Sequence, residues 1–385
     1  MNRSARNVGF SMTVAVAAAC SGGTDASPAP PLRFLAPDTL ELGEPSADGT
    51  TSFDVPANTV GFTLTVRASS GAVRIVDLVG PTGAAVRQGQ RVLPSTATRS
   101  DPGSTATASV PAGGETRNGP VPAGRWTAKI TAPAGARVFV RIQRTADGLV
   151  HGGVVDLHVH VPRGLSIDTP GPAHTVVDDD LAGDLAIAAR VDAFFDRLHA
   201  AFGLDRGDVT FVSTEPSWAT FTTADFVTKL PRMCVGVGDA PGFHVLLTQH
   251  HPALIPSGGT VNVPAAQTVG DCTTSVTFLA LMARSEAAQR GIPDIVAFES
   301  NTLLHEFGHA AGLFHTTETS GVEFDPILDT PECLGATSET AASCPDVDDV
   351  MFPSQVLGPR STVTELQRRV VFGASVVRPY ARTLP

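Results

Sequence analysis

The chain has 385 residues, 42% of them apolar, and a formal charge of −11, which leaves room for two domains with a buried core each. The acidic balance excludes a nucleic-acid binder, which needs concentrated Lys and Arg. Beyond the N-terminus no apolar run is long enough to span a bilayer, which excludes a helical membrane-spanning protein.

Residues 1–19 carry Arg3 and Arg6 and then the mostly apolar run Val8 to Ala19, the pattern of a secretory signal. The ending Ala17-Ala18-Ala19-Cys20 resembles a bacterial lipobox. That resemblance implies lipidation of Cys20 and an exported lipoprotein facing the periplasm or the cell exterior, with the membrane met only through this anchor. Ordinary cleavage after Ala19, giving a secreted protein, is the alternative. Residues 20–31 read as a flexible tether of small residues.

Residues 32–148 alternate short apolar runs with Gly, Pro, Ser and Thr, as in Val60 to Val66, Val73 to Val79, Trp126 to Ile130 and Arg137 to Ile142. This predicts an all-β sandwich. Pro81 to Gly119 reads as an extended loop or hairpin, and Trp126 as a core residue rather than a binding aromatic.

Residues 149–385 predict a second, α+β domain. Val154 to Val161 alternates as a strand with His158 and His160 on an exposed polar side. A helix follows over Leu185 to Phe202, turning Leu185, Ala188, Val191, Phe195, Leu198 and Phe202 inward. Strands are expected at Val209 to Val212 and Phe243 to Leu247, while Asp271 to Arg290 fits strand and helix equally. The Asp178-Asp179-Asp180 run and His250-His251 read as solvated surface. Ca2+ at these aspartates has no EF-hand-like spacing to support it. A further helix starts at an Asp294 N-cap and buries Val296, Leu303, Phe307 and Ala310; a closing helix spans Thr364 to Phe372, with Leu366, Val370 and Val371 inward.

The chemistry sits in His305-Glu306-Phe307-Gly308-His309-Ala310-Ala311-Gly312-Leu313-Phe314-His315. Four residues of helix put His305 and His309 one turn apart on one face, about 6 Å along the axis, so both imidazoles reach one metal ion. Glu306 points beside that ion, the place of a general base rather than a ligand. Unbroken helix would carry His315 about 15 Å from His305. The helix must therefore stop, and Gly312 stands where a left-handed residue would end it and return His315 to the site. Three neutral imidazoles with one open position define catalytic rather than structural Zn2+.

At these residues the chain resembles the metzincin clan of zinc endopeptidases, whose H-E-x-x-H-x-x-G-x-x-H signature is matched at each fixed position. The resemblance implies a twisted, mostly parallel sheet with an active-site helix, one catalytic Zn2+, a protein or peptide substrate, and a Met-turn below the histidines. Met351, in Asp349-Val350-Met351-Phe352-Pro353, is the methionine downstream of the motif. Thr316 after the third histidine is nearest the matrixin habit, and Tyr380, the one tyrosine, does not fall where astacins and serralysins place an extra ligand.

Setting Cys20 aside leaves Cys234, Cys272, Cys333 and Cys344, an even set suited to an oxidising compartment. Three pairings are open, of which Cys333 with Cys344 and Cys234 with Cys272 are favoured; four free thiols are the alternative. Cys234 sits in Pro231-Arg232-Met233-Cys234-Val235-Gly236, inside the second domain, and reads as a disulfide partner rather than a zinc-blocking switch. The expected function is peptide hydrolysis at zinc with Glu306 as base; the alternative is a catalytically silent surface binding protein or adhesin that keeps the fold. Oligomeric state is left open.

Overall fold

The computed structural model describes residues 33–34, 38–83, 104–111, 120–220, 242–249, 258–262, 275–318, 321–322, 324–335, 337, 340–353 and 360–381. The expected signal, tether and lipidation site at Cys20, the pair Cys234 and Cys272, and His250-His251 lie outside the described residues.

The first described elements are β1 (Arg33–Phe34), β2 (Asp38–Gly43), β3 (Thr50–Val55), β4 (Thr59–Ala68), β5 (Arg74–Val79), β6 (Ser104–Val110), β7 (Gly124–Thr131) and β8 (Arg137–Arg144). From β2 to β8 these form two antiparallel sheets, ordered β2-β8-β4-β6 and β3-β7-β5. Both sheets contribute to one apolar cluster, in which Phe62 meets Phe53 and Trp126 edge-on at ring-centroid distances of 5.4 and 5.0 Å. Trp126 is 1% exposed and donates its indole N–H to the Pro122 carbonyl, which makes it a core residue as expected. The stretch read as an extended loop or hairpin contains β6. Its Ser104-Thr105-Ala106-Thr107-Ala108-Ser109-Val110 sequence is poor in large apolar residues, yet it is buried from Ala106 to Val110, with Ala106, Ala108 and Val110 turned into the apolar cluster. Small side chains hid a strand whose neighbours supply the bulk.

The second half runs β9 (Gly153–Pro162), β10 (Ser166–Ile167), β11 (His174–Thr175), α1 (Leu185–Phe202), β12 (Leu204–Thr214), β13 (Phe243–Gln249), β14 (Gly258–Asn262), β15 (Ser275–Leu281), α2 (Arg284–Gln289), α3 (Ile295–Ala310), α4 (Glu365–Gly373) and β16 (Val377–Ala381). The stretch left open over Asp271 to Arg290 therefore holds both a strand and a helix. Strand β9 pairs in parallel with β12 on one edge; on the other it pairs with β13 in parallel and with β16 antiparallel. Strand β15 extends the parallel set beyond β13, and β14 closes it antiparallel. The two-residue β1 pairs with β16, so the first described residues join the larger sheet and not the sheets that follow them in sequence.

Helices α1 and α3 pack on one face of this mixed sheet, and the main core lies between. Asp184 caps α1 by accepting from the Ala186 and Ile187 amides, and Gly203 ends it at φ 70°. The bounds match the expected ones, and Val191, Phe195, Leu198 and Phe202 are buried as expected, with Ala188 half-buried. Leu185 is 82% exposed, whereas Ile187, Arg190, Phe194 and Ala201 are buried, because Leu185 is the first residue after the cap and points away from the sheet. Arg190 enters the core by pairing with Glu299 of α3 at 2.7 Å, and Glu299 also accepts from the Met282 amide. A buried charge is retained where every partner is in place.

His158 and His160 correct the sequence reading: they are 6% and 1% exposed. Both faces of β9 are covered, so alternation there separates two buried faces rather than a core face from a wet one. Among the described residues no helix is long and apolar enough to cross a membrane.

Candidate metal centre

Helix α3 begins where Asp294 accepts a hydrogen bond from the Ala297 amide at 2.9 Å. Leu303, Phe307 and Ala310 turn into the core as expected; Val296 is only half-buried, and Ile295 is buried in its place. Phe307 is central, with Phe243, Phe194 and Phe202 around it at 5.3 to 6.1 Å. This packing fixes the rotation of the helix and leaves His305 and His309 on the opposite side, half-buried.

The helix stops in a Schellman arrangement. The Leu313 amide donates to the Gly308 carbonyl at 2.8 Å, the Gly312 amide donates to the His309 carbonyl at 3.0 Å, and Gly312 has φ 98°. The turn delivers His315 back to the helix. Its Nε2 lies 3.2 Å from Nε2 of His305 and 3.1 Å from Nε2 of His309.

Each ring is held from behind. His305 Nδ1 faces the Val350 carbonyl at 2.7 Å, His309 Nδ1 faces the Leu313 carbonyl at 2.9 Å, and His315 Nδ1 faces a Glu318 carboxylate oxygen at 2.9 Å. A carbonyl only accepts, so Nδ1 of His305 and of His309 carries the proton; the Glu318 carboxylate imposes the same tautomer on His315. The three Nε2 lone pairs therefore point at one another. Burial, then the neighbouring His315, pushes His305 down to about 3; the same causes hold His309 well below the ordinary histidine value. Protons are thus a poor solution for the facing lone pairs, and a cation is the good one. With Zn–N bonds near 2.05 Å, two ligands of a tetrahedral ion stand about 3.3 Å apart, close to the spacing here. The donor set fits zinc.

Glu306 is 7% exposed and lies beside Gly258, the first residue of β14. Met351 is fully buried against α3, where a Cβ on Gly308 would overlap its sulfur. The Met351 carbonyl accepts from the Thr316 amide at 3.2 Å, which ties this turn to the residue after the third histidine. Cys333 and Cys344 are joined by a disulfide with Cα atoms 5.4 Å apart, as favoured from the sequence. Asp346 accepts from the hydroxyls of Thr316 and Thr317 at 2.6 and 2.7 Å. Tyr380 lies on β16 and donates to Asp205, and Asp178 to Asp180 are exposed.

Sequence reasoning missed the partners behind the rings. Glu318, three residues after His315, was available as a carboxylate of the right spacing; the Leu313 and Val350 carbonyls carry no side-chain signal. Gly308 was also missed, since its role shows only in the contact with Met351.

No protein-family model matches the chain, and no curated protein matches it. Among solved structures it is similar to archaemetzincin from Methanopyrus kandleri, at 14% identity and TM-score 0.30, covering 57% of this chain and 95% of that one. Two others are protein YXIM of Bacillus subtilis (10% identity, TM-score 0.15, 52% and 45% covered) and a family two carbohydrate esterase from Cellvibrio japonicus (11%, 0.13, 57% and 70%). These likenesses are too slight to bear on function.

Proposed function

We propose that the chain is a zinc-dependent endopeptidase of metzincin type. The observation that carries this reading is the convergence of three Nε2 atoms, each freed for a metal by an acceptor behind its ring. When bound by His305, His309 and His315, zinc supplies Lewis acidity and an acidified water at neutral pH. Glu306, one residue from a ligand and lodged at the end of β14, accepts a proton from the attacking water and delivers it to the leaving amine nitrogen. Met351 supports the ligand helix from below. The matrixin branch is favoured within the clan by Thr316, whose hydroxyl is used in a buried bond to Asp346.

The finer assignments follow from the sequence pattern. Residues 32–148 are read as an all-β sandwich accessory to a peptidase domain at 149–385. Cys20 is read as a lipid anchor, Cys234 and Cys272 as a second disulfide, and the substrate as protein or peptide. A catalytically silent surface protein that keeps zinc is the second reading, and one experiment separates the two. Wild-type protein and Glu306→Ala are incubated with a diverse peptide mixture and zinc, and products are read by mass spectrometry. Cleavage by wild type and its loss in the variant is expected, by about 10²-fold or more for removal of a general base. Zinc bound without cleavage by either protein would leave the silent reading standing.

A further inference from the structure

One short helix joins the N-terminal double sheet to the metal centre. At its C-terminal end α4 lies so close to β4 that a Cβ on Gly61 would overlap the Gly373 backbone. Beyond it, Gln143 of β8, 3% exposed, donates to the Ala374 and Val377 carbonyls at 2.7 and 2.8 Å, and Ser375 donates to the Thr63 hydroxyl at 3.0 Å. These contacts explain why both faces of β4 are buried. The described residues from Arg33 onward belong to one unit, and this buried polar seam runs through it.

At the other end of α4, Gln367 is fully buried and does two jobs. Its Oε1 accepts from the Thr364 amide at 2.7 Å, completing a capping box, and its Nε2 donates to Asp349 Oδ1 at 3.0 Å. The same Asp349 oxygen accepts from the Met351 amide at 2.8 Å. Between Asp349 and Met351 stands Val350, whose carbonyl takes the His305 Nδ1 proton. A nine-residue helix has little stability of its own, so its position is set by what it touches at each end.

We propose that Gln367 is a positioning residue: docking of the double sheet on α4 is passed through Gln367 and Asp349 to the Val350–Met351 turn, and this fixes the ring of His305. The effect on metal affinity rests on the zinc reading above; the fixing of the ring does not. Buried Gln367 has its acceptor and a donor satisfied at once, so its loss leaves Asp349 short of a donor and frees the turn. The double sheet is then a strut for the centre rather than a detachable appendage.

The test compares Gln367→Met, Gly61→Val and Thr364→Ala in the full chain. The first removes the bond to Asp349, the second wedges the double sheet off α4, and the third removes the helix cap while leaving Gln367 and Asp349 in place. Two quantities are read: the imidazole nitrogen shifts of His305 in metal-free protein, and zinc affinity by chelator competition. Gln367→Met and Gly61→Val are expected to lose the single Nδ1–H tautomer of His305 and to weaken zinc binding by about 10- to 100-fold, the range for partners behind a ligand. Thr364→Ala is expected to lower Tm with both quantities unchanged. The proposal is overturned if Gln367→Met keeps the wild-type tautomer and affinity, or if Thr364→Ala shifts them equally. Should Gln367→Met not fold, Gly61→Val, which leaves Gln367 and Asp349 unchanged, is judged by the same criteria. A wild type that binds no zinc would sink the metal reading, and the tautomer in metal-free protein would still decide the positioning.

Discussion

Among the described residues stand two groups of three histidines, and they are built on opposite plans. His305, His309 and His315 each give Nδ1–H to a fixed acceptor, and their Nε2 atoms meet. His158, His160 and His244 are more deeply buried, yet they are arranged by sheet register. His158 and His244 stand opposite each other on parallel strands and stack at 4.5 Å, while His160 Nε2 and His244 Nδ1 lie 3.3 Å apart. The first group brings one nitrogen from each ring within reach of a single ion, whereas the second stacks two of its rings face to face and meets the third through one nitrogen pair. Burial holds His160 down to about 4, so it stays neutral as part of the packing. Histidine count and burial do not define a metal site; the direction of the lone pairs does, and acceptors behind the rings set it.

The largest expected effect breaks the two groups apart. His309→Ala removes a ligand and is expected to weaken zinc binding by more than the roughly 100-fold cost of losing a partner behind a ligand. His160→Ala is expected to keep one zinc per chain while losing on the order of 2 kcal/mol of stability from the buried void and broken contact. Metal content by atomic absorption and denaturant unfolding read the two outcomes. Zinc lost from the sheet variant would show that the trios are not independent.

The same contrast shows what was legible in the sequence. The motif was readable because its spacing is dictated by one helical turn and one glycine, both local: His305, His309, Gly312 and His315 fall as expected. Two further helices were readable for the same reason: the helix over Leu185 to Phe202 keeps its expected bounds, and α3 starts at the Asp294 cap as expected. The histidines of β9 were misread because alternation marks two faces without saying what covers each. Leu185 was placed inward by periodicity although the cap before it turns it out. Strand β6 could not be told from a loop because its inward residues are mostly alanine, and Glu318 was missed because its role depends on where the chain goes after Gly312. For the histidines of β9 and for strand β6, what the sequence hid was a partner from another element.

The shell around the first group gives smaller tests that should leave the second untouched. The Cys333–Cys344 bond closes a loop with a sequence separation of 11, and the Cys333 amide donates to the Thr317 hydroxyl. Cys333→Ser together with Cys344→Ser is expected to cost about 3 kcal/mol in denaturant unfolding. Gly308→Ala drives a methyl into the Met351 sulfur, so the fully buried Met351 side chain must re-pack beneath the helix that carries His305 and His309. The expected cost is about 1–3 kcal/mol, with a loss of zinc affinity that His160→Ala does not show.

The smallest effect distinguishes the regions by the sign of their pH dependence. Asp325, 7% exposed, accepts from the Ile327 amide and the Thr330 hydroxyl, and its own amide donates to the Thr316 carbonyl beside the third histidine. Burial pushes its carboxyl up to about 8 against those hydrogen bonds, with Asp349 and Asp329 adding repulsion. A folded pKa raised above the unfolded value of 3.8 contributes stability that is complete below about 4 and is lost as pH rises through about 8. His160 runs the other way: with its folded value near 4 against 6.5 unfolded, its contribution is present above about 6.5 and is lost as pH falls through about 4. Asp325→Asn keeps an acceptor for Ile327 and Thr330 and cannot ionise, so it should exceed wild type in stability at pH 8, on the order of 1 kcal/mol, with the gain vanishing towards pH 4. Tm measured on both proteins across that range reads the difference. A gain that is flat with pH would mean that Asp325 is ionised in the fold, and that the wall behind His315 holds a charge rather than a proton.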